Sequence, residues 1–404
     1  MTAQQQDTTE SERRRTFDRA EFDAILVEAR STATARELDR RLPYDLVRRL
    51  IDAGFASSRV PATAGGEGAT TEAVFSRLIE IAAADSNLAH VFRGHLAFVE
   101  QRLFDPDETV RGTWFARLLE GALVGNAQSE QTGTTDVATT IATAGDGYVL
   151  NGRKYYTTGT IYADWIDLSA RLGDVDQQVF VPTSAPGVSS VDDWAGFGQR
   201  LTGSGTTTFT DVAVPAGDVR PYAEDGPHKH AYLMGYFQLV LLAVVAGIAR
   251  AAVDDAVDYV RPRTRTFGVR GQSFPREDPL VQSIVGELSS AAAAARAIVL
   301  ENARALGATL DAYLAGNRDE KPFLDAQLDV YRAQQIVLPL VIDATGKLFE
   351  VGGASAVDSG LALDRHWRNA RTIATHNPAV QRLRAIGDFE INDRYPEWLG
   401  ALGK

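Results

Sequence analysis

The chain has 404 residues, of which 45% are hydrophobic and 23% are charged, and it contains no cysteine. That length suffices for two or three structural units around a large core, and the composition is that of a globular protein. The formal net charge of -12 disfavours nucleic acids and anionic membranes as partners, and the lack of thiols excludes disulfides, thiol catalysis and thiolate metal sites.

Residues 1–15 are polar and charged, and we expect them to be disordered. They contain no apolar run of the kind that marks a secretory signal, so we expect a cytoplasmic protein. The most apolar run, residues 239–248, has about half the length that a membrane span requires, and it predicts a buried helix instead. We expect no membrane, nucleic-acid or metal partner.

Residues 16–123 show apolar side chains at helical spacing and are predicted to form an N-terminal helical domain. Leu46, Val47, Leu50 and Ile51 illustrate the spacing of three and four residues. Asp85 and Ser86 are the candidate N-caps of a helix that carries residues 88–104.

Residues 124–226 change to short alternating segments separated by glycine- and proline-containing turns. Residues 139–143 and 148–150 flank a turn at 144–147, which predicts a β-hairpin. We predict a compact antiparallel barrel or sandwich here.

Residues 227–404 return to the helical period, in long segments that are rich in alanine. Four such segments predict an antiparallel four-helix bundle, which makes the chain mainly α with a central β domain. The segments are 232–261, 279–306, 322–346 and 356–375.

The order of a helical domain, a β domain and a helical bundle resembles the acyl-CoA dehydrogenase superfamily. Residues 60–68 resemble its N-terminal loop, residues 198–206 its flavin segment, and residues 259–268 its arginine-containing stretch that meets the flavin phosphate. In that order, the three segments imply the fold of the superfamily.

Four further segments resemble the two-component flavin-dependent monooxygenases, the branch of dibenzothiophene monooxygenase. They are residues 87–95 (NLAHVFRGH), 125–130 (GNAQSE), 151–159 (NGRKYYTTG) and 368–378 (RNARTIATHNP). The chain departs from the pattern at four positions, where relatives carry a serine, a second histidine, an aspartate and an arginine. These positions are Thr158, Ile373, Asn377 and Ser355.

This closer resemblance implies a monooxygenase that receives reduced FMN from a separate NAD(P)H:flavin reductase, with FAD as the alternative cofactor. Such an enzyme uses dioxygen, through a C4a-hydroperoxyflavin, to oxygenate a small aromatic or sulfur- or nitrogen-containing substrate. No Gly-x-Gly-x-x-Gly fingerprint follows a predicted strand, so the chain is not expected to take electrons from NADH itself. Family habit implies a homotetramer, with a dimer as the alternative.

The resemblance places two histidines, His90 and His376, at the reacting flavin, where they would hold the peroxide and transfer protons. Asn126 and Thr158 would form hydrogen bonds to the peroxide and to flavin N5. Without the resemblance, all four would be read as ordinary core, surface or turn residues.

Further residues are predicted to bind the cofactor. Arg263 and Arg265 suit the flavin phosphate, with ion pairing to Asp254, Asp255 or Asp258 as the alternative. Arg368 and Arg371 could serve either the cofactor or a structural ion pair. Beside Asn126 and Thr158, the predicted cofactor contacts are Gln128, Ser129, Trp194, Thr202, Ser204, Arg263, Arg265 and Arg371.

Four residues are predicted to line the substrate pocket: Phe92, His95, Tyr236 and Phe237. Core packing explains the aromatic residues equally well, and His95 has an equal claim to capping a neighbouring helix. His228 and His230 are expected in a solvated loop.

An acyl-CoA dehydrogenase is the competing enzyme class, and it needs a carboxylate to remove a proton from carbon. The usual position here shows His376-Asn377, and the alternative position, within 233–243, contains no Asp or Glu. A non-enzymatic or DNA-binding relative is a third reading, which the charge of -12 disfavours.

Overall fold

The computed structural model describes residues 17–131, 138–222, 226–265 and 274–396. The predicted disordered tail, residues 1–15, lies outside the described part of the chain.

Helices dominate both ends of the described chain. The α-helices are α1 (Arg19–Asp39), α2 (Tyr44–Asp52), α3 (Thr71–Ala84), α4 (Ser86–Val91), α5 (Arg93–Leu103), α6 (Glu108–Leu119), α7 (Pro227–Val260), α8 (Pro279–Leu314), α9 (Lys321–Lys347), α10 (Asp364–Ala374) and α11 (Ala379–Asn392). The strands are β1 (Val124–Ala127), β2 (Thr140–Ala144), β3 (Gly147–Lys154), β4 (Trp165–Leu172), β5 (Val175–Pro182), β6 (Val188–Val191), β7 (Thr206–Pro215) and β8 (Val219–Pro221).

The strands form one sheet in the order β6-β7-β3-β2-β4-β5-β8, with β1 added beside β4. The predicted hairpin is present, because β2 pairs with β3 up to Ala144 and Gly147. Two pairings differ from the antiparallel prediction, since β1 and β2 each run parallel to β4. The long connection from β1 to β4, which contains the hairpin, gives the chain room to return in the same direction.

Two hydrophobic cores hold the fold together, a large one among the helices and a smaller one inside the sheet. Helix α7 lies at the centre of the large core and packs against α3, α8 and α9. By length and composition, α7 and α8 each contain an apolar stretch of 18 residues that could cross a membrane. In α7, 89% of this stretch is buried inside the fold, whereas in α8 only 28% is buried. The apolar run of α7 is therefore the buried core helix that its sequence predicted.

Several helix boundaries differ from those the sequence predicted. The helix after Asp85 breaks at Phe92 into α4 and α5, although Asp85 caps it as expected by accepting a hydrogen bond from the Asn87 N–H at 2.9 Å. Short 3-10 turns precede α10, and α11 was not predicted. His228 and His230 lie in the first turn of α7 and not in a loop, because Pro227 occupies the start of the helix, where proline needs no donor.

A buried ion pair joins the N-terminal helices to the bundle. Arg59 Nε donates to Glu100 Oε1 at 2.6 Å, and the Tyr232 hydroxyl of α7 donates to Glu100 Oε2 at 2.7 Å. Glu100 is fully buried, so each partner depends on the other for compensation of its charge.

Replacing Glu100→Gln is therefore expected to lower the free energy of unfolding by about 3–5 kcal/mol, the cost of a buried charge left without its partner. Equilibrium urea denaturation measures the change. Glu301→Gln is the matched control, because Glu301 forms an exposed ion pair with Arg304 and its loss should leave the midpoint unchanged. Equal midpoints for both variants would contradict the structural role of Glu100.

Candidate active site

Gln199 connects three parts of the chain at one buried point. Its backbone has φ 52°, and its N–H donates to Oδ1 of Asn369 in α10 at 2.6 Å. Its side-chain Nε2 donates to Ser86 Oγ at the start of α4 at 3.1 Å, and its Oε1 lies 3.1 Å from Nδ1 of His90. The loop before β7 is thereby fixed to both helical parts of the fold.

The hydrogen bond from Gln199 assigns the tautomer of His90. An amide oxygen only accepts, so Nδ1 of His90 carries the hydrogen and Nε2 keeps a lone pair. That Nε2 atom is buried and has no hydrogen-bond partner in the described structure. Burial, together with the charge of Arg93, lowers the pKa of His90 to about 4. His90 is therefore a neutral acceptor at neutral pH.

A chain of hydroxyls begins at the carbonyl of Gln199. Thr202 Oγ1 donates to this carbonyl at 2.9 Å, Ser204 Oγ lies 2.7 Å from Thr202 Oγ1, and Thr158 Oγ1 lies 2.8 Å from Ser204 Oγ. Each hydroxyl has one hydrogen, so Ser204 donates to Thr202 and Thr158 donates to Ser204. Thr158 is left with acceptor lone pairs for a further donor.

Asn126 lies in β1 beside the start of α5. A Cβ atom on Gly94 would lie 2.5 Å from Cβ of Asn126, so only glycine permits this approach of helix and strand. The side-chain amide of Asn126 forms no hydrogen bond to a described residue; Thr160 bonds its carbonyl at 3.3 Å instead. The amide remains available to a ligand.

His376 follows α10 and faces His90, with the two ring centroids 6.4 Å apart. Its residue surface is exposed, yet burial of the ring within the site and the charge of Arg93 lower its pKa well below the usual value. Asn377 holds the turn by donating from Nδ2 to Gln238 Oε1 of α7 at 2.8 Å. The exposed His376 ring therefore lies between solvent and the buried ring of His90.

The other predicted flavin contacts differ in whether the structure brings them near His90 and Thr158. Thr202 and Ser204 belong to the hydroxyl chain. The side chain of Gln128 is engaged within the sheet, where it accepts from the Tyr222 hydroxyl at 2.9 Å and donates to the Asp167 carbonyl at 3.1 Å. Its neighbour Ser129 is exposed.

Trp194 is half-buried and packs beside Tyr156, with the ring centroids 5.9 Å apart. Its indole N–H donates to the Gly198 carbonyl at 3.0 Å, which fixes the ring at the start of the segment that carries Gln199. No described contact joins Trp194 to His90 or Thr158.

The predicted phosphate-binding arginines have no acidic partner among the described residues. Arg263 lies over the Tyr259 ring at 4.5 Å, and Arg265 and Arg371 are exposed. The aspartates offered as alternative partners are engaged elsewhere, with Arg30, Arg250, Arg365 and His366. Arg368 is a structural residue, because it pairs with Glu37 at 2.8 Å and with Asp364 at 2.7 Å.

Three residues predicted to contact the substrate, His95, Phe92 and Tyr236, lie in the core of this structure. His95 is fully buried, with its Nε2 3.0 Å from the Ala56 carbonyl and its Nδ1 accepting from the Val124 N–H at 3.1 Å. Both nitrogens are thus used by backbone. Phe92 and Tyr236 are also fully buried and pack on other core rings. Phe237 alone of the four is half-buried and lies beside the site.

Sequence reasoning missed Gln199, Arg93 and Arg382. Gln199 and Arg93 lie inside segments already recognised as flavin-proximal, and Arg93 follows His90 by three residues, a spacing that places side chains on one helical face. Arg382 gave no comparable signal. The described residues contain no group of three or more His, Asp or Glu side chains suited to a metal ion.

Comparison with known proteins agrees with this architecture. The family model described as acyl-CoA dehydrogenase, middle domain, matches residues 125–212, and the C-terminal domain model matches residues 239–381. Dibenzothiophene monooxygenase of Mycolicibacterium goodii is 31% identical over 394 residues, covering 90% of this chain and 94% of that protein. Probable FMNH2-dependent monooxygenase SfnC of Pseudomonas putida is 30% identical, covering 86% and 88%.

The crystal structure of FMN-bound TdsC from Paenibacillus sp. A11-2 superposes with a TM-score of 0.86 at 26% identity, covering 93% of this chain and 98% of that one. The chain therefore belongs to the acyl-CoA dehydrogenase superfamily. Within it, the chain is a member of the flavin-dependent monooxygenase branch, and the predicted fold class and enzyme class are confirmed.

The state of His90 gives a prediction for pH titration. Its pKa is about 4 in the folded chain against 6.5 for a free histidine, so the unfolded chain binds the proton first and folding stability decreases as pH falls through this window. Nitrogen NMR of histidine-labelled protein should show, for His90, a neutral ring with its hydrogen on Nδ1 that does not titrate near 6.5. Loss of that signal in His90→Gln assigns it, and a midpoint near 6.5 would contradict the assignment.

Proposed function

We propose that this chain is the oxygenase component of a two-component system. It receives reduced FMN from a separate flavin reductase and uses dioxygen to place one oxygen atom on a small aromatic or sulfur- or nitrogen-containing substrate. The relatives named above support this reading. The observation that carries it is the convergence of His90, Thr158 and His376 around Gln199, with no described carboxylate paired to any of them.

The residues fit a flavin because the buried Nε2 of His90 has no partner among the described residues, and buried polar groups are normally hydrogen-bonded. Thr158 keeps acceptor lone pairs beside its hydrogen bond to Ser204, and the side-chain amide of the half-buried Asn126 bonds no described residue. A ligand with both donors and acceptors would use all three groups. Reduced FMN, when bound, supplies the electrons that activate dioxygen.

The chain's own residues then control protons. Thr158 would accept a hydrogen bond from the N5–H of the reduced flavin and hold that proton in place. His90 would accept a proton or hydrogen bond at Nε2, and His376, which reaches solvent, would exchange protons with bulk water. Thr158, Ser204 and His90 are buried, which keeps water away from the reacting atoms.

The described residues of the site do not provide the carboxylate that an acyl-CoA dehydrogenase uses as its catalytic base. Asn377 stands beside His376, and its amide is already hydrogen-bonded to Gln238. An amide cannot remove a proton from carbon, and a histidine whose pKa is lowered is a weak base. Glu100, one of several buried acidic residues, is engaged by Arg59 and Tyr232.

We also propose a homotetramer in which the flavin phosphate is bound by Arg263 or Arg265 of a neighbouring subunit. Neither arginine has an acidic partner among the described residues, and the apolar stretch of α8 is only 28% buried, which leaves a helix face available to a second copy. A light-scattering mass equal to that of one chain would contradict this assembly.

Oxygen labelling tests the proposed function. The protein is mixed with photoreduced FMN, isotopically heavy dioxygen and dibenzothiophene or indole, and the products are analysed by mass spectrometry. We expect one heavy oxygen atom in the product when the substrate suits the pocket. Desaturation of an acyl-CoA under argon, without oxygen incorporation into any aromatic or sulfur compound, would support the dehydrogenase instead.

His376→Ala should leave FMN binding nearly unchanged but lower productive oxygenation by about 10²-fold, the scale of losing a positioned proton-transfer group. Product yield per FMN oxidised, with hydrogen peroxide release as the complementary reading, measures the effect. Thr375→Ala is the control, because this exposed neighbour bonds only to the Thr372 carbonyl. Wild-type yield in His376→Ala would reject the role of this histidine.

A further inference from the structure

Arg93 is a buried cation at the start of α5, beside the two histidines. It is 8% exposed, and its Nε–H donates to the Phe237 carbonyl at 3.4 Å. The guanidinium lies over the Phe237 ring, 4.8 Å from the centroid. Its two terminal nitrogens form no hydrogen bond within the described chain. Burial and the charge of Arg382 lower the pKa of Arg93 to about 10, so the group is still charged at neutral pH.

Arg382 supplies a second buried cation behind Arg93. It is 9% exposed and donates from one terminal nitrogen to the side-chain oxygens of Gln238 and Gln334, the latter at 2.8 Å. Its guanidinium also lies over the Tyr331 ring at 4.3 Å. All of these partners are neutral. The nearby titratable groups, His90 and His376, are neutral as well, because their pKa values are lowered.

The contrast with the other buried arginines is direct. Arg36 pairs with Asp85 at 2.6 Å, Arg59 with Glu100 at 2.6 Å and Arg102 with Asp105 at 3.0 Å. Arg93 and Arg382 are equally buried but pair with no described carboxylate, in a chain with 53 acidic residues against 41 basic ones. A buried charge without compensation is costly, so such a pair is retained where a ligand supplies the opposite charge.

We infer that Arg93, supported by Arg382, binds an acidic group of the substrate, which makes the substrate a small organic oxyanion such as a carboxylate or sulfonate. The inference rests on the proposed function and names its substrate class. The two free terminal nitrogens of a planar guanidinium match two oxygens of such an anion. The Phe237 ring beside the guanidinium offers apolar surface to the rest of the molecule.

The test compares an anion with a neutral molecule of the same shape. Benzenesulfonate and methyl phenyl sulfone are titrated by calorimetry into the full-length protein, into Arg93→Gln and into Arg93→Lys. Arg304→Gln is the control, because Arg304 is an exposed arginine paired with Glu301. Benzoate replaces benzenesulfonate in a parallel series, so that the two oxyanion classes are distinguished.

We expect the wild-type protein to bind at least one anion about 10-fold or more tightly than the sulfone, the scale of a charge-assisted hydrogen bond. Arg93→Gln should lose this preference, Arg93→Lys should keep part of it, and Arg304→Gln should match the wild type. Equal affinity of the wild-type protein for anion and sulfone overturns the inference without any variant. Weaker FMN binding in Arg93→Gln, with unchanged anion binding, assigns the charge to the flavin and overturns it too.

FMN is titrated separately into the same variants, and the titrations with anion and sulfone contain neither flavin nor dioxygen, so they are independent of the proposed reaction. A preference for the anion that depends on Arg93, together with no oxygen incorporation when the labelling experiment is run on an anionic aromatic thioether such as (phenylthio)acetate, would retain the anion site and reject the oxygenase. Oxygen incorporation into neutral substrates without an anion preference would do the reverse.

Discussion

The site depends on the hydrogen bonds that converge on Gln199. A non-glycine residue with φ 52° adopts a sparsely populated conformation, which persists only where the surroundings fix it. Asn369, Ser86, His90 and Thr202 provide that restraint, each through one hydrogen bond. Gln199 therefore fixes the tautomer of His90 through its side chain and bonds Thr202, the first hydroxyl of the chain, through its carbonyl. The acceptors of His90 and Thr158 are thus oriented by the same residue.

The electrostatics of the site differ from those of the whole molecule. The chain has a net charge of -12, whereas the space around His90 contains neutral imidazoles, amides and hydroxyls with the cation of Arg93. A carboxylate there would be drawn to Arg93 and remain ionised, which suits removal of a proton from carbon. Neutral acceptors beside a cation suit a different task, in which protons are held in place while an anionic molecule is positioned for oxygen transfer.

The change from helical to β texture and back was enough to predict the architecture, because a continuous apolar run such as 239–248 predicts a helix buried in the core. The break at Phe92 was not predicted, because the helical spacing of apolar residues continues through it. The helix Ala379–Asn392 was not predicted either; it begins directly after Pro378.

Site residues followed a similar division. His90, His376 and Thr158 were selected by resemblance, and the structure brings two of them into one hydrogen-bonded network and the third into contact with it. The structural role of His95 depends on where Ala56 and Val124 fold, and no spacing along the chain reveals that. The sequence also does not reveal that Arg93 lacks an acidic partner, because this depends on which side chains the fold brings near it.

A crystal structure of the protein with bound FMN would show whether these residues meet the flavin. We expect Thr158 Oγ1 within hydrogen-bond distance of flavin N5, with His90 Nε2 and the His376 ring facing the same part of the isoalloxazine. An isoalloxazine ring that contacts neither His90 nor Thr158, or a carboxylate at the face where these groups should lie, would contradict this expectation.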